Sequence, residues 1–402
     1  MAVVRRALNR GGWPAACAWG VATVVVLRVV LGLLMGVAWR VASPYMDADR
    51  AIQLDGGLSA YATVPGQLLL GVWPRYDAIN HLTLARLDYL SVPEGHTVYY
   101  PLFIVLTRLC AAVAGGDYLA GGLIVSTLAA CAAFACLHRL ADHHYGPQAA
   151  RWAVVALACY PTAVFLIAPY TESLFLALTL GAFSAAYARR WWLAGLLGCL
   201  ASLTRGPGML TAAALAWMAW NQWKGELRGL LGWSGVSVCA GLVLPVLGGL
   251  GFMAWRSWHG LAPISDVLAR RSGLVLTNPI SGLWAAIVQW ARVRDLHTSL
   301  DLGSAVVFIA VAVSMAVRPR WRRPEWLIYV CAHLILLLSK ETFAASSLQS
   351  RSRYGLSLFP AFIVAGDWLE GRGPRARLAY LAVSGAVLTM LSVLYALWVF
   401  IG

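Results

Sequence analysis

The sequence has few charged residues, and acids are rarer than bases. Only 12% of its 402 residues are charged, with 17 acidic residues against 31 lysines and arginines, while 60% are hydrophobic. An average soluble domain is about 25% charged. This composition excludes an ordinary soluble enzyme and indicates a membrane protein.

Several chemical motifs are also missing. The chain has no glycine-rich phosphate loop of the Walker type and no soluble segment large enough for a nucleotide sugar. No nucleophilic Ser/His/Asp or Cys/His set is apparent, which disfavours a covalent intermediate. Its eight cysteines form no CxxC pair and lie in or beside apolar stretches, as small buried hydrophobic residues do. We therefore expect no cofactor.

One cluster resembles a metal site at first sight. His138, Asp142, His143 and His144 lie close together in what reads as a turn, with no glutamate partner. We expect no metal there, because Arg139 and Arg151 bound this turn and no glutamate completes the set.

Apolar runs recur along the whole chain, many near the roughly 20 residues that span a bilayer as a helix. They predict an all-α polytopic integral membrane protein, with about 10–12 transmembrane or re-entrant helices in a single domain over 1–402. The predicted helices cover 15–41, 98–114, 118–137, 151–169, 172–188, 191–204, 208–221, 229–255, 301–317, 325–343, 354–369 and 376–401.

Two polar stretches, 42–97 and 256–300, interrupt this pattern as long loops. Arginines at 5, 6 and 10 favour a cytoplasmic N-terminus, which makes 42–97 the first extracytoplasmic loop. The net charge of +14 suits cytoplasmic loops and anionic lipid headgroups better than nucleic acid. It also suits an anionic lipid substrate.

The segment from Trp73 to Tyr89 gathers polar side chains in an otherwise apolar chain. A helix that begins at Pro74 places Asp77, Asn80 and His81 on one face. The other side is apolar, as in a short amphipathic helix at the membrane interface. Its polar face would look into a cavity above the membrane, although a solvated loop helix with incidental charges is the alternative.

Four blocks, in order, resemble the PIG-V family of GPI second-mannose transferases and their bacterial relatives. The first combines Arg75-Tyr-Asp-Ala-Ile-Asn-His-Leu with Tyr99-Tyr-Pro-Leu-Phe. The others are Pro169-Tyr-Thr-Glu-Ser-Leu-Phe, then Arg190-Trp-Trp-Leu-Ala-Gly with Leu203-Thr-Arg-Gly-Pro-Gly, and Ser352-Arg-Tyr-Gly-Leu-Ser-Leu-Phe-Pro. Tyr76 stands where the family has tryptophan, and Gly206-Pro-Gly replaces Pro-Thr-Gly.

This resemblance implies a GT-C membrane glycosyltransferase. The donor would be polyprenyl-phosphate mannose, the acceptor a hydroxyl of a lipid-linked or glycolipid molecule, and the reaction inverting. Asp77 matches the family acid and would be the general base. The residues expected to bind substrate are Arg75, Tyr76, Asn80, His81, Tyr99, Tyr100, Glu172, Arg205, Arg351, Arg353 and Tyr354.

Three arginines of that set, Arg205, Arg351 and Arg353, would hold the donor phosphate, since guanidinium and phosphate pair bidentately. Each has a structural alternative as a snorkelling or loop arginine. Glu172 has one as a buried partner of an arginine, and His81 as an ordinary structural histidine.

The expected location is the bacterial cytoplasmic membrane with the site on its outer face, or the endoplasmic reticulum in a eukaryote. A GT-C transferase of another sugar is one alternative. A secondary transporter or lipid flippase is another, and it predicts functional charges at the bilayer midplane. Arg28, Arg108 and His333 lie mid-span in the sequence.

Overall fold

The computed structural model describes residues 12–42, 66–223, 233–341 and 350–401. Within these ranges the chain forms sixteen α-helices. They are α1 Gly12–Ala42, α2 Asp77–Arg86, α3 Pro101–Val113, α4 Tyr118–Tyr145, α5 Pro147–Ala158, α6 Glu172–Tyr187, α7 Trp191–Thr204, α8 Thr211–Gln222, α9 Trp233–Trp258, α10 Ile264–Ser272, α11 Pro279–Val293, α12 Leu296–Val317, α13 Pro324–Leu338, α14 Arg351–Tyr354, α15 Phe359–Glu370 and α16 Pro374–Ala396. Two short antiparallel strands, β1 Val275–Leu276 and β2 Lys340–Glu341, pair Val275 with Glu341.

Five helices of the described chain are long and apolar enough to cross a membrane: α1, α4, most of α9, α12 and α16. Helices α3, α6, α7 and α13 are apolar but shorter. At 1.5 Å per residue, the 14 residues of α7 reach about 21 Å, less than the ~30 Å hydrocarbon core. The prediction of an all-α polytopic membrane protein is confirmed.

Several pairs of helices pack closely through small residues. Helix α1 packs against α4, α7 against α9, and α5 against α15. A Cβ at Gly20 would lie 2.6 Å from the Cys131 carbonyl oxygen, and one at Gly366 would lie 2.5 Å from that of Ala149. Glycine at these crossings lets the backbones approach, as in other membrane helix pairs.

Helix α2, which carries the opening polar residues, begins at Asp77 rather than at the predicted Pro74. It packs against α3 and α4, with Leu82 and Leu84 buried. The helix ends at Arg86, so Asp88 lies beyond it and accepts a hydrogen bond from its neighbour's backbone N–H. The first part of the 42–97 loop, residues 43–65, lies outside the described residues.

Two further details differ from the sequence-based expectation. The stretch 256–300 holds the end of α9, helices α10 and α11, strand β1 and the start of α12, so it is not a plain loop. Helix α4 continues to Tyr145, which places the histidine cluster on a helix rather than in a turn. There Asp142 pairs with Arg139 at 3.2 Å.

Candidate active site

A cavity of about 520 Å³ opens where α2, α6, α7, α10, α13 and α14 meet. Every predicted site residue except Arg75 lines it. These residues are Tyr76, Asp77, Asn80, His81, Tyr99, Tyr100, Glu172, Arg205, Arg351, Arg353 and Tyr354. The four sequence blocks therefore converge on one space.

Asp77 lies at the first position of α2 with both carboxylate oxygens engaged. Tyr99 donates its hydroxyl to Oδ1 at 2.7 Å, and Arg353 donates Nη1 to Oδ2 at 2.8 Å. Asn80 donates to the same Tyr99 hydroxyl at 2.8 Å, which orients it. The preceding Tyr76 adopts φ 52°, which is rare for a non-glycine residue and is typical of strained functional sites.

The acid is accessible from the cavity although its partners are buried. The Asp77 side chain is 26% exposed against 7% for Arg353. Burial raises the pKa of the carboxyl, but Arg353, His81 and the Tyr99 hydrogen bond together lower it to about 2. Asp77 is therefore ionised at neutral pH.

His81 lies one turn along α2 from Asp77. Its Nδ1 is 3.4 Å from the Pro169 carbonyl oxygen, and its ring meets Tyr99 and Tyr170 edge-on. Burial lowers the pKa of this imidazole, so the ring is neutral at pH 7.

A chain of ion pairs continues from Asp77 into the cavity wall. The Arg353 guanidinium that binds Asp77 also lies 3.2 Å, at Nε, from Oε1 of Glu172. Arg205 donates Nη1 to this same oxygen at 2.8 Å. Because the Glu172 carboxylate is buried between two arginines, loss of these arginines would leave an uncompensated buried charge.

The cavity also contains cations that the sequence motifs did not identify. Five cationic side chains line it against two carboxylates, a formal excess of three positive charges. Lys340, at the end of the apolar stretch 325–343, and Arg271, in the 256–300 stretch, are the two additions. Lys340 has no acidic partner within the described ranges, and a charged residue at the end of an apolar span is the signal that marks it.

The pKa of Tyr354 reflects the positive charges around its phenol. Burial raises the pKa of the Tyr354 phenol, but Arg353, Arg205 and Lys340 together lower it below its ordinary value. The Arg205 guanidinium also lies over the Tyr354 ring, with its central carbon 4.7 Å from the ring centroid. The cavity therefore favours an anionic ligand.

Helix α14 carries Arg351 and Arg353 on either side of Ser352, whose backbone N–H and carbonyl are both hydrogen-bonded by side chains. Its N–H donates to Asp301 Oδ1 at 3.0 Å. Its carbonyl accepts from Tyr160 at 2.9 Å and from Thr162 at 3.1 Å. These three side chains therefore fix the backbone from which the two arginines extend.

Arg75 is the one predicted binding residue that the structure places away from the cavity. It is fully buried, donates Nε to the Ala396 carbonyl at 3.0 Å, and donates Nη1 to that of Gly71 at 2.7 Å. Its guanidinium lies between the rings of Trp39 and Trp398, 5.0 and 4.8 Å away. Arg75 therefore does not line the cavity as a predicted substrate-binding residue would; it links α16 to the loop that precedes Asp77.

The arginines that lie mid-span also have structural partners. Arg108 donates to the carbonyls of Ala85 and Leu87 at the C-terminal end of α2, at 2.8 and 2.6 Å. Arg28 donates to the Thr127 hydroxyl at 2.6 Å. A cation at a helix C-terminus is stabilising, so Arg108 helps to hold the helix that presents Asp77.

The chain is similar to mammalian enzymes named GPI alpha-1,6-mannosyltransferase 2. The Cricetulus griseus protein is 29% identical over 198 residues, which is 46% of this chain and 39% of that protein. The Rattus norvegicus protein is 31% identical over 37% of this chain and 32% of its own length, and the Mus musculus protein is 30% identical over 47% and 39%. The resemblance predicted from the motifs is confirmed, and the matched region spans less than two fifths of each relative.

No protein-family model matches the chain. Among solved structures, ArnT from Cupriavidus metallidurans bound to undecaprenyl phosphate is similar, at 18% identity with a TM-score of 0.48, over 81% of this chain and 64% of that one.

Proposed function

We propose that the protein is a GT-C membrane glycosyltransferase that moves mannose from a polyprenyl-phosphate-mannose donor to a hydroxyl of a lipid-linked or glycolipid acceptor. The observation that carries the proposal is an ionised carboxylate, Asp77, in a cavity with a formal excess of three positive charges. The similarity to GPI mannosyltransferases supports mannose as the sugar.

Asp77 is the general base of this proposal. The acceptor hydroxyl attacks the anomeric carbon, the bond between that carbon and the donor phosphate breaks, and the phosphate leaves with the electron pair. The hydroxyl proton passes to Asp77. An ionised carboxylate offers about four lone-pair sites, so it can accept this proton while Tyr99 and Arg353 stay bound. A single displacement inverts the anomeric centre.

The cations of the cavity would bind the donor phosphate. Arg353 and Arg205 already hold Glu172, whereas Lys340 has no acidic partner within the described ranges. Lys340 and Arg351 are therefore the groups most free to neutralise a phosphate as its charge develops. Guanidinium and ammonium groups are both established phosphate ligands in proteins.

The apolar part of the cavity would receive the lipid attached to that phosphate. Ile264 and Leu268, one turn apart on α10, line the cavity together with Leu336 and Leu337 of α13. Apolar side chains beside cations suit a lipid phosphate better than a water-soluble sugar phosphate. By the positive-inside argument, the reaction would occur on the outer face of a bacterial cytoplasmic membrane, or in the endoplasmic reticulum of a eukaryote.

A transfer assay with purified protein tests the proposal. The protein is supplied with short-chain polyprenyl phosphates carrying labelled mannose, glucose or arabinose, together with a glycolipid acceptor fraction, and the products are identified by mass spectrometry. We expect transfer of mannose with inverted anomeric configuration. Preferred transfer of another sugar would revise the donor, and no transfer from any of them would contradict the enzyme assignment.

A further inference from the structure

Two buried hydrogen-bond acceptors in the cavity wall have no donor within the described residues. Glu172 is 3% exposed, and its Oε1 binds two arginines while its Oε2 accepts nothing. His333 is 2% exposed, and its Nε2 also lacks a partner. An unsatisfied buried polar atom costs about 1–3 kcal/mol, and in native structures such atoms are rare and often have a functional reason.

The hydrogen bond at Nδ1 of His333 determines which nitrogen of the ring carries the proton. Nδ1 lies 2.9 Å from the carbonyl oxygen of Tyr329. A carbonyl oxygen only accepts, so Nδ1 carries the proton, and the neutral ring then presents a lone pair at Nε2. Both unpaired atoms are therefore acceptors.

The two acceptors belong to one wall of the cavity. Glu172 and Phe175 are three residues apart on α6 and share a face of that helix. The centroid of the Phe175 ring lies 6.3 Å from that of the His333 ring. The guanidinium of Arg205 lies over the same Phe175 ring, 5.9 Å from its centroid. All four side chains line the cavity.

We propose that this wall binds hydroxyl groups of the transferred sugar, with Glu172 Oε2 and His333 Nε2 as the acceptors; the inference rests on the proposed function. A ligand that faces two acceptors has to supply donors. A lipid phosphate diester supplies none, whereas a sugar carries several hydroxyls. The terminal torsions of glutamate and histidine are broad, so a small rotation turns each acceptor toward the ligand.

The wall would also select among sugars. A site built to accept from a substrate hydroxyl discriminates strongly against an analogue that lacks this group, because the buried acceptor is then left unpaired. The phosphate would lie instead by Lys340 and Arg351. One cavity thus separates the recognition of the sugar from that of its leaving group.

Deoxy donors test the inference on the wild-type protein. Kinetics are measured with short-chain polyprenyl-phosphate mannose and with analogues that each lack one sugar hydroxyl. We expect removal of at least one hydroxyl to lower kcat/KM about 10-fold or more, the loss that an unpaired buried acceptor predicts. Equal rates for all analogues would overturn the proposal.

Two variants then assign the effect to the wall. His333→Phe keeps the ring packing against Phe175 and Tyr329 but removes Nε2, whereas His333→Gln retains an acceptor oxygen. We expect His333→Phe to lose discrimination against one deoxy donor and His333→Gln to retain part of it, with binding of sugar-free polyprenyl phosphate unchanged in both. Unchanged discrimination in His333→Phe, or equally weakened binding of the sugar-free lipid, would contradict the assignment. Absence of transfer by wild-type protein would instead contradict the proposed function itself.

Discussion

Asp77 is held as a weak base, with a pKa lowered to about 2 by Arg353, His81 and Tyr99 against the opposing effect of burial. A base of this strength suits a reaction in which the leaving phosphate departs early, because the acceptor hydroxyl becomes acidic only as its new bond to carbon forms. General acid–base catalysis contributes typically 10²–10⁴-fold. The chief task of Asp77 in this account is therefore to orient the hydroxyl and to take its proton late.

Replacement of Tyr99 by phenylalanine tests how Asp77 is tuned. The Tyr99 hydrogen bond favours the carboxylate, so its loss raises the pKa of Asp77. A group with a lowered pKa stays ionised until the pH falls through that value. We therefore expect the acid limb of the kcat/KM profile to move to higher pH in Tyr99→Phe.

The matched control for that experiment is Tyr100→Phe, which removes a hydroxyl of the same cavity lining. We expect its acid limb to stay where the wild-type limb lies. An identical shift in both variants would mean that the change comes from the cavity in general rather than from the contact with Asp77.

At this scale the motifs predicted eleven residues that line one cavity, but not the contacts among them. Asp77 and Arg353 are 276 positions apart, so no local spacing could show that they pair. Arg75 stands two residues before Asp77, yet its side chain points away from the cavity, because adjacency in a motif does not determine side-chain direction. Lys340 and His333 lie outside the recognised blocks, and only the three-dimensional packing brings them to the cavity.

Among the elements, prolines mark several helix starts more closely than the apolar runs did. Helices α3, α5, α13 and α16 all begin at a proline, which is favoured at the first helical position. The predicted span 151–169 was too long, since α5 ends at Ala158, just before Pro161. A proline disfavours helical geometry in the residue before it, so this end could have been predicted.

Substitution of Asp301, on α12, tests how the arginines of α14 are held in position. Its carboxylate accepts from the backbone N–H of Ser352 within a buried setting. We expect Asp301→Leu to lose about 1–3 kcal/mol of stability, as an unsatisfied buried donor predicts. Because the arginines on either side of Ser352 would also be displaced, the KM for the donor should rise more than kcat falls.

Asp301→Asn is the control for this prediction, because its amide oxygen still accepts the backbone hydrogen bond. Thermal unfolding and donor kinetics of both variants give the comparison. If Asp301→Leu lost stability with an unchanged KM for the donor, Asp301 would support the fold alone and would not position the arginines.

For the whole molecule, composition was enough to predict the class, an all-α polytopic membrane protein. The shape of the cavity was not predictable in the same way, because it depends on contacts among α2, α6, α13 and α14 across the chain. The sequence allowed two interpretations of the excess of basic residues: contact with lipid headgroups, or binding of an anionic substrate. The cluster of cations inside one cavity supports the second reading for Lys340 and Arg351.

The variant Asp77→Asn tests most directly whether Asp77 acts in the transfer step rather than in binding the donor. Asp88→Asn is the matched control, because Asp88 is exposed and does not line the cavity. Transfer from polyprenyl-phosphate mannose and equilibrium binding of the same lipid are measured on both. We expect Asp77→Asn to lose transfer by about 10²-fold or more while it still binds the donor, and Asp88→Asn to match the wild type. Transfer retained in Asp77→Asn would contradict the account.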